Sequence, residues 1–155
     1  MPEKTERTPR ERALRLLGRR EYARAEVAER LRAWGLPPEA AEALLAEFEA
    51  AGYLSDARYA AATVRHRAAG FAKRRILGEL RARGVAAEVA QEAFAETGAD
   101  DETTARELWQ RRFGKAPANE KEKARQLRFL QARGFSPGLI YKILREAGSP
   151  VDDAS

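Results

Sequence analysis

Three segments of the sequence resemble one another around a glycine, and this repetition restricts the possible folds more than any other feature. The glycines are Gly35, Gly84 and Gly134, which lie about 50 residues apart. An apolar residue stands four positions before each glycine, and another follows it directly. A unit of about 50 residues buries only a small core by itself, so neighbouring units must stack to extend it. The spacing therefore predicts a solenoid-like array of repeats instead of one globule.

The segments between glycines have the apolar pattern of helices. Val27, Leu31 and Trp34, for example, follow steps of three and four, and no segment alternates like a strand. The glycines that divide the chain into pieces of about one helix each are Gly35, Gly52, Gly70, Gly84, Gly98, Gly114, Gly134 and Gly148. Three others fall outside this series: Gly18, Gly78 and Gly138. The sequence predicts an all-α protein of nine helices.

These signals also predict the domain boundaries. Thr8-Pro9-Arg10-Glu11 has the pattern of a capping box, and Ser136-Pro137 opens the last helix in a similar way. We expect three tandem three-helix repeats between two disordered tails: an N-terminal tail at 1–9, repeats at 10–53, 54–98 and 99–148, and a C-terminal tail at 149–155.

The composition argues against an enzyme. The chain has no cysteine and one histidine, which excludes disulfide scaffolds, thiol nucleophiles and zinc fingers. His66 stands between two arginines without a recognisable catalytic partner, and Asp100-Asp101-Glu102 is better explained as a helix start than as a metal site. Trp34, Tyr53, Tyr59, Trp109 and Phe113 have the positions of core or inter-repeat anchors. We expect no catalytic residue, no metal and no cofactor.

The remaining composition indicates a soluble protein. Charged residues make up 34% of the chain, which favours an elongated or modular shape with much surface. No apolar stretch approaches the roughly 20 residues that cross a bilayer, and the N-terminus lacks the apolar region of a secretory signal. We expect a cytoplasmic monomer that does not contact a membrane.

Positive charge is concentrated in the middle of the chain. The net charge is +5, yet the stretch 65–83 carries a single acid, Glu79, against seven basic residues: Arg65, Arg67, Lys73, Arg74, Arg75, Arg81 and Arg83. The following stretch is acidic, and a second basic stretch runs over 111–133. Single residues of this kind are usually solvated or paired on the surface, whereas a cluster can form a face that binds a polyanion.

A helix-turn-helix reader of DNA sequence fits the charges poorly. In that motif the second helix enters the major groove, but the helices after Gly35 and Gly84 carry several acids and no basic residue. The third unit offers a second, weaker candidate surface: Tyr141, Lys142 and Arg145. Any contact with nucleic acid should therefore depend little on sequence.

Several motifs together resemble the RecX family, the bacterial regulators of the RecA recombinase. They are Ala13-Leu14 with Leu17 and Arg19-Arg20, the junction GYLSDARYA at 52–60, and Gly70-Phe71 followed by Arg74-Arg75-Ile76, Glu79-Leu80 and Gly84-Val85. In the junction, Tyr53 and Leu54 are expected to pack between repeats, and Ser55 or Asp56 to cap the next helix. The third repeat fits by periodicity more than by motif.

The sequence departs from the family pattern at the entry to two helices. Ala23 stands where a serine cap is usual, which questions the cap of that helix. Ala72-Lys73 stands where Gly-Pro is common, which changes the entry to the basic helix and adds a positive charge.

The resemblance implies a fold of three three-helix repeats in a curved, elongated molecule. It implies that the protein binds in the groove of RecA filaments on single-stranded DNA and inhibits filament growth or stability, ATPase, strand exchange and co-protease activity. The ten basic and aromatic candidates above would then contact the filament or its DNA. The alternatives are a generic nucleic-acid-binding repeat protein that ignores sequence, and an adaptor for an acidic protein.

Overall fold

The computed structural model describes residues 6–148, and within this range the chain forms nine α-helices and no strand. The helices are α1 (Pro9–Leu17), α2 (Arg24–Ala33), α3 (Pro38–Ala50), α4 (Asp56–Arg67), α5 (Lys73–Ala82), α6 (Ala87–Ala95), α7 (Asp101–Arg112), α8 (Glu120–Ala132) and α9 (Pro137–Gly148). They follow the predicted order of three groups of three, so the all-α prediction is confirmed. The predicted C-terminal tail and the first five residues of the N-terminal tail lie outside the described residues.

Most of the predicted glycine breaks occur, with three differences, one of which is that Gly148 is the last residue of α9 and has no positive φ. The glycines with a positive φ are Gly35, Gly52, Gly84, Gly98, Gly114 and Gly134. Gly18, which lies outside the predicted series, nevertheless ends α1 with φ −75°, because its N–H continues the helical pattern by donating to the Leu14 carbonyl. Gly70 follows α4 without a positive φ, so that helix ends without the left-handed residue that the prediction assumed.

Residues 6–63 and 79–93 form the first of two units. Its core lies among α1, α2 and α3 and includes Ala13, Val27, Leu31, Leu45, Phe48 and Leu54. Tyr53 and Leu54 were expected to pack between repeats. Leu54 is buried, but Tyr53 is 53% exposed, so the prediction is wrong for Tyr53. The turn at Gly52 directs Leu54 inward and leaves the Tyr53 ring at the edge of the core, 6.4 Å from the ring of Phe48.

Residues 64–78 and 94–148 form the second unit. Its core is built mainly by α7, α8 and α9 and includes Leu108, Trp109, Leu130, Phe135, Ile140, Ile143 and Leu144. The indole Nε1 of Trp109 donates to Oε1 of Gln126 at 2.8 Å, and Nε2 of Gln126 donates to the carbonyl of Lys115 at 3.1 Å. The buried polar atoms of this core are therefore satisfied, as burial requires.

Five helices carry a side-chain cap at their own N-terminus. The capping oxygens belong to Thr8, Ser55, Asp100, Asn119 and Ser136, and each accepts from the backbone N–H three residues later. These bonds satisfy amides that would otherwise lack a partner in the first turn. At α7 the bonds from the Thr103 backbone and hydroxyl lower the pKa of Asp100. The interpretation of the acidic run as a helix start is confirmed at this residue.

The helices α2 and α5 follow alanines and are capped from the next repeat. Oδ1 of Asp56, the first residue of α4, accepts from the N–H of Arg24 at 2.7 Å. In the second unit, Oδ1 of Asp101, the first residue of α7, accepts from the N–H of Lys73 at 2.9 Å. At α2, Glu26 also accepts from the N–H of Ala23. The missing serine is thus replaced by carboxylates. Of the two predicted caps of α4, Ser55 occurs, whereas Asp56 caps α2 instead.

Two of the repeat glycines also allow close packing of one repeat on the preceding one. A Cβ on Gly84 would lie 2.9 Å from the Cβ of Ala25 in α2, and one on Gly134 would lie 2.9 Å from the Cβ of Arg75 in α5. Both glycines have a positive φ, near +81° and +95°. Gly35 has nothing within 4 Å of the same position. Gly84 and Gly134 therefore serve both the turn and the contact between repeats.

Candidate functional site

The second unit contains an aromatic ring surrounded by arginines. Phe71 lies between α4 and α5, and its side chain is half-buried. The guanidinium carbons of Arg67, Arg133 and Arg75 lie 3.9, 4.7 and 5.0 Å from the ring centroid. These distances allow cation–π attraction to the ring. We call Phe71 and these three arginines the Phe71 cluster.

Backbone carbonyls help to hold the Phe71 cluster in place. Nη1 of Arg133 donates to the carbonyl of Gly70 at 3.3 Å, and Nη1 of Arg75 donates to the carbonyl of Ala132. The N–H of Ala72 donates to the carbonyl of Arg133 at 2.9 Å. Because a carbonyl is neutral, these bonds orient the guanidinium groups without cancelling their charge.

A second ring extends this arrangement along α7 and α8. The guanidinium carbons of Arg133 and Arg112 lie 5.2 and 5.4 Å from the centroid of Phe129, and Phe113 meets that ring edge-on at 5.4 Å. Nη2 of Arg111 lies 3.5 Å from the carbonyl oxygen of Ala69. The second basic stretch of the sequence is thus joined to the first through contacts with two phenylalanines and with the turn before α5.

The charge of this region is only partly neutralised. Within the part of the chain that the structure describes, no carboxylate pairs with Arg111, Arg112 or Arg133. Guanidinium groups bind phosphates and carboxylates through paired donors, and they keep their charge at all physiological pH values. The arrangement can therefore bind a polyanion. Because the aromatic rings already restrict the arginine side chains, these side chains lose less conformational freedom on binding.

The predicted basic residues do not all lie in one place. Arg65 and Arg74 are exposed in the second unit, where residues 6–148 supply no carboxylate partner for either. Lys73 is also exposed, and its Nζ lies 5.4 Å from the centroid of Phe94. Arg81 and Arg83 belong to the first unit, where Nη1 of Arg83 lies 3.7 Å from Oε2 of Glu26.

The weaker candidate surface on α9 is largely engaged with neighbouring side chains. Nζ of Lys142 lies 3.1 Å from Oε1 of Glu102, and Arg106 pairs with the same carboxylate. These two bases, Arg106 first, lower the pKa of Glu102. Tyr141 is 46% exposed, and Arg145 is exposed on the same helix.

Comparison with known proteins identifies the family of the chain. Three RecX family models match it: the first three-helix domain at residues 10–48, the second at 55–93 and the third at 100–144. Regulatory protein RecX of Leptothrix cholodnii is 43% identical over 91% of this chain and 90% of its own length. That of Chromobacterium violaceum is 41% identical over 92% and 91%. The chain belongs to the RecX family.

Solved RecX structures have the same fold. The crystal structure of RecX from Lactobacillus salivarius has a TM-score of 0.65 at 21% identity and covers 90% of this chain and 94% of its own. A second, titled regulatory protein RecX, has a TM-score of 0.71 at 20% identity, with coverages of 89% and 71%. The resemblance found in the first two repeats is thus confirmed, and the third repeat, which fits by periodicity more than by motif, matches the family as well.

The RecX motif Gly70-Phe71 lies at the centre of the Phe71 cluster, but the prediction from sequence missed part of the site. Arg111, Arg112 and Arg133 were noted only as a basic stretch. The repeat alignment contained the missing signal, since Arg83 and Arg133 each precede a repeat glycine. In the structure Arg83 meets Glu26 in the first turn of α2, and Arg133 meets the residues just before α5.

Among residues 6–148, no group of three or more histidine, cysteine, aspartate or glutamate side chains is placed to share a metal ion. None of the described helices combines the length and the apolar character that crossing a membrane needs. His66 is exposed on α4.

Proposed function

We propose that this RecX family member regulates the RecA recombinase by binding RecA filaments on single-stranded DNA. By binding in the filament groove it opposes filament growth or stability and so reduces ATPase, strand exchange and co-protease activity. Family membership supports RecA as the partner. The observation that carries the mode of binding is the Phe71 cluster together with Arg111 and Arg112, where positive charge is held by rings and carbonyls.

The physical basis is a match between this surface and a nucleoprotein filament. A filament groove offers protein surface and DNA phosphates side by side, and complementary charge increases both the rate and the specificity of association. Arg65 and Arg74 are exposed in the same unit as the Phe71 cluster and lie close to Phe71 in the sequence, so they add to the basic surface of that unit. Tyr141, Lys142 and Arg145 form a smaller candidate contact, in which Lys142 would first have to leave Glu102.

The first test is a titration of the protein into RecA on single-stranded DNA while ATP hydrolysis is followed. Binding to bare DNA is measured at the same salt concentration. We expect inhibition well below one protein per RecA monomer, with much weaker binding to bare DNA. If the loss of ATPase merely follows coating of the DNA, the protein is a generic nucleic-acid binder. If neither assay responds, it is an adaptor for another partner.

A pair of matched variants tests the basic surface. Arg65→Ala/Arg74→Ala should raise the concentration for half-inhibition roughly tenfold, because two charged contacts are lost. Both side chains are exposed, so the far-UV circular dichroism should not change. Lys121→Ala/Arg128→Ala removes the same charge from exposed positions on α8 of the same unit and should have a much smaller effect. Equal effects of the two double variants would contradict a specific role for Arg65 and Arg74.

A further inference from the structure

A groove in the first unit combines arginines with a tryptophan, and the proposed function does not use it. The groove has a volume of about 520 Å³ and runs between α1 and the C-terminal end of α2. The residues that line it and matter here are Glu6, Arg7, Arg12, Arg15, Arg19 and Trp34. Four of these are arginines and one is an acid, so the groove has a strong excess of positive charge.

The arginines converge because of their spacing. Arg12 and Arg15 are three residues apart on α1, and Arg19 follows four residues later, just beyond the end of the helix. Residues three and four apart lie on the same side of a helix. In the described ranges no carboxylate pairs with any of these three side chains, and all three are exposed. Their combined field therefore attracts an anionic ligand that can follow the groove.

Trp34 adds a flat apolar surface to this charge. It is the C-cap residue of α2 and is half-buried, and the guanidinium carbon of Arg12 lies 4.5 Å from its ring. Nucleobases stack on aromatic rings and on arginine guanidinium planes, so a base can use either surface here. A volume of about 520 Å³ also lies within the roughly 300–1,000 Å³ of small-ligand sites, which suits a nucleotide better than a folded partner.

We propose that this groove binds a short stretch of single-stranded nucleic acid, with its phosphates on Arg15, Arg19 and Arg7 and a base against Trp34 and Arg12. An acidic peptide would satisfy the arginines but would leave the stacking surface unused, so nucleic acid fits better. This site needs only nucleic acid and not the recombinase. It therefore stands apart from the Phe71 cluster and from the proposed inhibition.

The fluorescence of Trp34 provides a local measurement. The chain has two tryptophans, and the other, Trp109, is 8% exposed and hydrogen-bonded inside the second unit. Oligothymidylate of about 16 nucleotides should quench the emission of the full chain, and Trp34→Phe should remove that quenching. If the three arginines Arg7, Arg15 and Arg19 meet phosphates, the logarithm of the binding constant should fall with the logarithm of the salt concentration with a slope of roughly −2.

Matched charge reversals test the arginines. Arg15→Glu/Arg19→Glu should weaken oligothymidylate binding at least tenfold, as followed by Trp34 quenching. The control is Arg30→Glu/Arg32→Glu, which makes the same charge change at exposed positions in the last turn of α2, outside the groove. We expect less than a threefold loss of oligothymidylate affinity for the control, because charges outside the groove act over a longer distance and are screened by salt. Equal losses in both variants would overturn the site.

Two further outcomes would also overturn the proposal. One is that oligothymidylate fails to quench Trp34 at low salt. The other is that polyglutamate of the same length quenches it equally well, which would assign the groove to acidic peptides. The result is separable from the proposed function. If the unmodified chain inhibits RecA but oligothymidylate does not quench Trp34, only the groove is refuted; if oligothymidylate quenches Trp34 but the chain does not inhibit RecA, only the regulation of RecA is refuted.

Discussion

The helices α5 and α8 occupy the same position in successive repeats, but their N-termini are capped in different ways. The first amide of α5, that of Lys73, donates to Asp101, which begins α7 of the following repeat. The N-cap of α8 is Asn119, which accepts from the N–H of Glu122, while Glu122 accepts from the N–H of Ala118. One helix start depends on a neighbouring repeat, and the other is complete within its own.

The glycine turns show the same contrast. The turn at Gly134 packs against Arg75 of the preceding repeat, whereas the turn at Gly35 has no such neighbour. The first junction has the same two components as the second, since Asp56 caps α2 and Gly84 packs against Ala25. Each junction between repeats therefore includes one capping carboxylate and one closely packed glycine, and residues that look equivalent in the sequence differ in the stability that their replacement should cost.

The largest effect is expected from alanine at the repeat glycines. Gly134→Ala should lower the free energy of unfolding by about 2–4 kcal/mol, since a positive φ costs an alanine about 1–2 kcal/mol and the new Cβ meets the Cβ of Arg75. Gly35→Ala should cost only about 1 kcal/mol, for the backbone alone. Urea unfolding followed by circular dichroism measures both values.

Gly84→Ala is the control for this comparison. Its Cβ would meet that of Ala25 at 2.9 Å, so its cost should approach that of Gly134→Ala. Similar losses for all three variants would show that the backbone conformation alone matters and that the glycine contact adds nothing to the junction.

A smaller effect is expected from the two kinds of cap. Asp101→Ala should lower the free energy of unfolding by about 1.5–3 kcal/mol, because it removes a hydrogen bond with a charged acceptor. Asn119→Ala should cost about 1 kcal/mol, the usual value for a neutral N-cap.

Amide hydrogen exchange distinguishes the borrowed cap from the local one. Exchange at the Lys73 amide should accelerate in Asp101→Ala and stay unchanged in Asn119→Ala, because only the first change removes its acceptor. If the Lys73 amide is insensitive to Asp101→Ala, the contact between the repeats does not exist in solution.

Local patterns in the sequence were sufficient to predict the helices and the repeat. They identified Ser55 and Asp56 as possible caps, but both were assigned to the next helix. The structure directs Asp56 to α2, 32 residues away. The prediction for Tyr53 failed for a related reason. The side chain of an aromatic residue beside a buried leucine can point into the core or away from it, and the turn at Gly52 decides between the two directions. Spacing along the chain does not contain this information.

The candidate site was predicted in part, because charges were counted along the chain. Such counting grouped Arg81 with Arg67 and Arg75, although Arg81 belongs to the first unit and the other two arginines belong to the second. It separated Arg133 from Phe71, although the two lie 4.7 Å apart. A repeat protein brings together residues about one repeat apart, so alignment of the repeats is a better guide to its surfaces than local density.

The smallest expected effect is a difference in pH dependence between the caps of α7 and α8. Hydrogen bonds from Thr103 hold the pKa of Asp100 below its ordinary value of 3.8, whereas the cap of α8 is the neutral Asn119. Because the folded pKa is lower than the unfolded one, the stability from Asp100 is present above that ordinary value and is lost as the pH falls through the folded pKa. Asp100→Asn should therefore lose less stability than the unmodified chain between about pH 5 and pH 2, as urea midpoints would show. The stability of Asn119→Ala should fall with pH in parallel with that of the unmodified chain. If the stability of Asp100→Asn falls in parallel as well, the carboxylate at α7 contributes no more than a neutral cap.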